Sequence, residues 1–286
     1  MLGKNQEQNV AENSSAIQAA GNVTVNNGLS VAEVKELCLL FLRDNFPALR
    51  EEALREAEVN VKAFAQELED KIVQNAQFIT LEKFKDPDVQ AAINDAVQAS
   101  ARRGEKANPN LLVDLITERA SISDCDFKDI VLSEAVLVVP KLTKEQISYL
   151  SFIHYMTHCG RNGLQHVSQL EHFSRLALNA VSAGFSLSDS QKRHIQFAGT
   201  CSIASMMHID IYDGWINTLF KGLGYTDKEK FKSDVAQFSP STKRLLEEFD
   251  NDSKGGQVTL TSVGQAIAIA NLSKSIGRLD YSIWIK

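Results

Sequence analysis

From Ser30 onward, apolar residues recur every three or four positions, the spacing that places them on one face of an α-helix, and polar residues fill the intervals. Ser30 and Glu33 make a capping-box pattern ahead of Val31, Val34, Leu37, Cys38, Phe41 and Leu42. Pro47 stands where a first helical position tolerates proline, and Leu49, Leu54, Val61, Phe64, Leu68 and Ile72 follow it. The spacing predicts a helical hairpin over residues 29–76. Its second arm is densely charged, and such a helix can project and pair with a copy of itself.

A helical body is expected over residues 80–286. Asp86-Pro87 opens a helix carrying Val89, Ile93 and Val97 and closed by Gly104, and Asn108-Pro109 opens one with Leu111, Leu112, Leu115 and Ile116. Asp126 is placed to cap a helix whose apolar residues are Phe127, Ile130, Val131 and Leu132. Thr143 with Gln146 caps Ile147 to Ile153, and Gly184 ends the helix of Leu170, Phe173, Leu176 and Leu178. Further starts fall at Ser188, near Thr226, at Ser239-Pro240 and near Thr261. Strand patterns are confined to Val23–Val25, Val258–Leu260 and Leu279–Ile285. The expected fold is all-α: a multi-helix body preceded by a long helical hairpin and a short polar N-terminal strand or tail.

That tail, residues 1–28, changes the picture. It is rich in Asn, Gln, Ser and Ala and has no aromatic residue, and Val23 and Val25 alternate with polar neighbours at strand period. A single short strand does not stand alone in water, so it needs a partner.

Composition narrows the class. The chain has 286 residues, 44% hydrophobic and 23% charged, enough apolar material for a core. Its net charge of −6 argues against a phosphate backbone as the main partner, so nucleic acid is not expected. No apolar run reaches membrane-spanning length and the first residues lack a signal-peptide pattern, so no membrane partner is expected. The isolated cysteines, Cys38, Cys125, Cys159 and Cys201, read as reduced thiols of a cytoplasmic protein.

Chemistry-bearing motifs are sparse. His154 and His158, four apart, share one helix face, which suits two zinc ligands, and His172 could be a third. Tyr155 stands where an H-E-x-x-H motif carries its glutamate, and histidines at a helix boundary account for the pattern without a metal. Asp250 to Gly255 starts like a calcium loop, but Thr261 occupies the bidentate position. Gly160-Arg161-Asn162-Gly163 matches a G-x-x-G clamp in letters only. Cys159 and Cys201 are read as core or boundary thiols. No catalytic residue and no cofactor is assigned, zinc being the alternative.

Several blocks carry a family resemblance: Ala16 to Val23, Gly28 to Phe46, Asp86 to Gln90, Ser133 to Thr143, and Thr261 to Ile285. On these the chain resembles an uncharacterised family of bacterial proteins known only by locus-tag names. The polar tail followed by Gly28-Leu29-Ser30 looks like the front end of several bacterial defence-associated proteins. Ile17 to Asn22 is also similar to amyloid-type signalling motifs, with an extra alanine before the glycine.

The leading expectation is a non-enzymatic bacterial interaction protein, tied to phage defence by the resemblance, that forms a homo-oligomer or binds a protein partner. Ile17, Gln18, Val23 and Val25 would pair between chains, while Leu37, Phe41, Leu54, Val61 and Phe64 would form or complete a helical interface. The alternatives are a zinc-dependent hydrolase, a nuclease among them, using His154, His158 and His172, and a small-molecule sensor with a pocket between helices of the body.

Overall fold

A computed structural model describes residues 30–121, 125–204, 210–252 and 255–285; the side chains of residues 37, 38, 41–49 and 81 fall outside the description. Among the described residues the fold is all-α apart from two short strands. The chain divides into two units, Met1–Glu52 and Ala53–Lys286. The expected strand at Val23–Val25 lies outside the described residues.

In the first unit the expected cap is present. Ser30 N–H donates to Glu33 Oε2 at 2.7 Å, and Glu33 N–H donates to Ser30 Oγ at 3.3 Å. Hydrogen bonds from the Ser30 side chain and then its backbone N–H hold the Glu33 carboxyl below its usual range. The cap opens α1, Val31–Gln74, a single helix of 44 residues. The hairpin expected over 29–76 is therefore corrected, because Pro47 lies inside α1 and does not begin a second helix. An interior proline costs about 3 kcal/mol. A turn there would sacrifice several helical hydrogen bonds, and the flanking Arg43 to Phe46 offers no glycine to shape one.

In the second unit, α1 applies Ala57, Asn60, Val61, Phe64, Glu67, Leu68, Lys71 and Ile72 to the body, a spacing of three and four. Phe64 is buried in the core, Asn60 Nδ2 donates to the Ala101 carbonyl at 3.4 Å, and Lys71 pairs with Asp114 at 2.6 Å.

The body follows the predicted punctuation. Asp86 caps α2, Pro87–Arg103, whose buried face is Val89, Ala92, Ala96 and Ala99; Ile93 and Val97 are half-buried. Helix α3, Pro109–Arg119, buries Leu111, Leu112, Val113, Leu115 and Ile116. Helix α4, Asp126–Val138, departs from expectation: Cys125 occupies the cap position, and Phe127 and Ile130 are 46% and 52% exposed while Lys128 and Asp129 are buried. Ion pairs turn α4 that way. Lys128 meets Glu118 at 2.6 Å, and Asp129 meets Arg119 at 3.0 Å and Lys83 at 3.2 Å.

Helix α5, Lys144–His158, starts at the predicted Thr143–Gln146 capping box and is buried from Gln146 to Met156. It packs against α11, Ser262–Ile276, which also meets α6, Leu170–Val181, and α4 and α3. Ser188 caps α7, Asp189–Phe197. Strand β1, Cys201–Ile203, pairs antiparallel with β2, Val258–Leu260, with Cys201 opposite Leu260. The chain continues as one turn, α8, Ile211–Gly214, a π-helical turn at Trp215–Leu219, α9, Lys228–Phe238, and α10, Pro240–Asn251. The strand expected within Leu279–Ile285 is corrected to a short 3-10 turn, Tyr281–Ile283, started by Asp280, whose side chain accepts from Ser282 N–H. Among the described residues no helix is long and apolar enough to cross a membrane.

Candidate functional site

Two regions merit a functional reading: the uncovered surface of α1 and the C-terminal end of α5. On the first unit's stretch of α1, Val31, Val34, Leu39 and Leu40 are 87%, 45%, 58% and 45% exposed. Successive helical residues turn by about 100°, so these four side chains spread around the axis instead of forming one stripe. Leaving such a side chain in water forgoes about 1.5–3 kcal/mol each relative to burial. Within the second unit, Leu54 and Val59 on α1 are exposed as well.

Of the residues expected to self-associate, Leu54 is available on the surface and Val61 is half-buried. Phe64 is corrected: at 1% exposure it belongs to this chain's own core and presents nothing to another copy. The Leu37 and Phe41 side chains, and Ile17, Gln18, Val23 and Val25 altogether, lie outside the described residues. Leu39, Leu40 and Val59 were not singled out from the sequence. Their signal was the loss of one-sided periodicity along α1.

At the end of α5, His154 is fully buried and neither ring nitrogen has a hydrogen-bond partner among the described residues. Its ring stacks on that of His158, with centroids 5.0 Å apart and planes at 7°, and meets the Trp284 ring edge-on at 4.9 Å. Burial, with His158 adding to it, lowers the His154 pKa to about 3. Burial lowers that of His158 too. Thr157 Oγ1 donates to the Ile153 carbonyl at 2.6 Å and sits 2.7 Å from His158 Nδ1. The hydroxyl's one proton is thereby used, which places the His158 proton on Nδ1. The end of α5 is locked by Trp215, whose indole N–H donates to the Met156 carbonyl at 2.7 Å.

This arrangement holds a neutral imidazole pair, the inner ring buried and the outer half-buried. Among the described residues no three His, Cys, Asp or Glu side chains gather as ion ligands. His172 does not complete a set with His154 and His158: the loop after α5 delivers it to α6, exposed, beside Phe173 at 5.2 Å. Burial pushes the Cys159 and Cys201 thiols up to about 12 and 11, which keeps them protonated and unreactive at neutral pH. Gly160 to Gly163 is a turn after α5. A Cβ on Gly160 would stand 2.9 Å from the Leu219 carbonyl, so close packing against the π-helical turn accounts for that glycine.

Residues 28–225 and 214–285 match a protein-family model described by a locus-tag style name ending in "-like". No curated protein and no solved structure matches the chain.

Proposed function

Since the chain belongs to that family, whose locus-tag style name states no activity, we propose from its own residues that it is a non-enzymatic interaction protein that self-associates through α1. One observation carries the reading: Val31, Val34, Leu39 and Leu40 stand uncovered in directions that encircle the helix. A helix with apolar residues on every side is suited to burial among several others, so the assembly expected is a multi-helix bundle. Isolated helices are marginal in water, and most of their stability comes from packing.

In the same reading Ile17, Gln18, Val23 and Val25 pair between chains, where Gln and Asn ladders and alternating apolar residues suit stacked strands. A role in bacterial defence is part of the proposal and rests on the resemblance of the N-terminal blocks alone.

Light scattering coupled to size exclusion tests it, comparing the full chain, a chain starting at Asn27, and the full-length Leu39→Glu/Leu40→Glu double variant. The expected result is an oligomer for the full chain and a smaller species for the double variant. The chain starting at Asn27 separates the tail's contribution from that of α1. A full chain that stays monomeric at tens of micromolar, like the double variant, would sink the proposal.

A further inference from the structure

The helical body contains a cleft of about 360 Å3 where the starts of α3 and α5 meet the ends of α6 and α11. That volume falls at the lower end of small-molecule sites. Its lining includes Asn108, Asn110, Lys144, Asn271, Lys274 and Glu105.

Two of the asparagines are fixed in the same sense. Asn108 is 8% exposed, and its Nδ2 donates to the Leu142 carbonyl at 3.2 Å. Asn271 Nδ2 donates to Ser151 Oγ at 2.9 Å and to the Ala180 carbonyl at 3.3 Å. Each amide nitrogen is thus occupied by protein, and each Oδ1 remains an acceptor with no partner among the described residues. Two anchored acceptors at one cleft call for a ligand that brings hydrogen-bond donors, as hydroxyl groups do.

Asn108 is also the one described non-glycine residue with left-handed backbone, φ 58° and ψ 54°. It precedes α3 but does not cap it with its side chain. Pro109 has no N–H, and Leu111 and Leu112 both donate to the Asn108 carbonyl. The Asn110 N–H is left as the donor of that first turn, at the positive end of the α3 dipole. Lys144, exposed and without an ion-pair partner among the described residues, adds a full positive charge. Lys274 is engaged with Asp114 at 3.1 Å and contributes less. Glu105 lines the cleft and Glu67 reaches the Asn110 side chain, so the positive charge open to an anionic group is that of Lys144.

We propose that this cleft binds a phosphorylated sugar, with the Asn108 and Asn271 oxygens accepting from its hydroxyls and Lys144 with the start of α3 holding its phosphate. This site is independent of self-association through α1.

Calorimetric titration of the full chain with glucose 6-phosphate, glucose and inorganic phosphate tests it. Saturable binding of the sugar phosphate is expected, at least tenfold tighter than either fragment. Lys144→Met should weaken the sugar phosphate at least tenfold and leave glucose unchanged. Asn108→Gly keeps a residue at ease with left-handed backbone while removing the amide, and should weaken both sugars. Melting curves verify that each variant is folded. The proposal is overturned by absence of saturable sugar phosphate binding to the folded wild type, by unchanged binding in both variants, or by inorganic phosphate binding as tightly as the sugar phosphate.

Discussion

His154 and His158, one helical turn apart on α5, lie ring over ring at 5.0 Å, and the inner ring has no hydrogen-bond partner for either nitrogen among the described residues. A neutral imidazole carries one N–H, so a buried donor is left unmet, a cost of about 1–3 kcal/mol. The stacked aromatic contacts with His158 and Trp284 offset part of it.

The pair makes stability sensitive to acid. The His154 pKa is lowered to about 3 in the folded chain, against 6.5 ordinarily. A depressed histidine is stabilising while neutral, so the contribution is whole above pH 6.5 and drains away as pH falls toward 3. At about 1.4 kcal/mol per unit, the loss is on the order of 5 kcal/mol over that window. Melting temperatures between pH 8 and pH 4 should decline below 6.5. His154→Leu should flatten that decline; an unchanged acid limb in this variant would refute the assignment.

Phe64 and Leu54 sit on the same helix with opposite duties. Phe64→Ala empties a core position and should cost about 3–5 kcal/mol in denaturant unfolding. Leu54→Glu alters a side chain that is 59% exposed and should leave the monomer's stability within about 0.5 kcal/mol. If self-association uses this face, the second variant lowers the oligomer's mass and the first does not.

Lys192 and Asp252 form a buried pair, with side chains 7% and 9% exposed, and Tyr149 donates its hydroxyl to the same carboxylate at 2.7 Å. Burial, reinforced by that carboxylate, raises the Tyr149 pKa far above its usual range. Lys192→Met removes the ammonium facing a buried carboxylate and should cost about 3–5 kcal/mol. Equilibrium unfolding in urea reads this directly, and a loss under about 1 kcal/mol would show the pair to be dispensable.

Gly264, in the first turn of α11, leaves no room for a side chain. A Cβ there would fall 1.9 Å from the Thr200 carbonyl oxygen, which already accepts from Thr261 N–H at 3.0 Å. Gly264→Ala should cost about 3 kcal/mol or more, since backbone must move on both sides. A melting temperature within a degree or two of wild type would contradict this packing.

Local signals carried the body's outline. Ser30–Glu33, Asp86-Pro87, Thr143–Gln146 and Ser188 all cap helices, because each acts within one turn and needs no tertiary partner. Val258–Leu260 was legible for its alternation, yet its partner Cys201–Ile203 was not, being three residues long and defined by a distant strand. Pro47 misled because a proline marks a helix start or an interior strain with the same letter. Phe127 and Ile130 misled because apolarity alone does not say which face turns inward; Arg119, Glu118 and Lys83 decide that by pairing with Asp129 and Lys128. The exposed part of α1 was half legible: the charge density of its later turns was plain, while Leu39 and Leu40, which break the one-sided spacing, were passed over. The cleft at Asn108 was invisible, since its two amides come from α3's start and α11, far apart in sequence.

The burial of α5 against α11 also bears on biosynthesis. Residues 144–158 leave the ribosome well before residues 262–276, which form much of their apolar surroundings. At translation rates of roughly 5–20 residues per second, α5 waits some seconds, on the order of 5–20 s, with that face unclothed. During that interval the nascent chain is a client for whatever cellular factor shields greasy helices. A ribosome stalled within α10 would hold a chain whose central helix has α6 beside it but lacks α11.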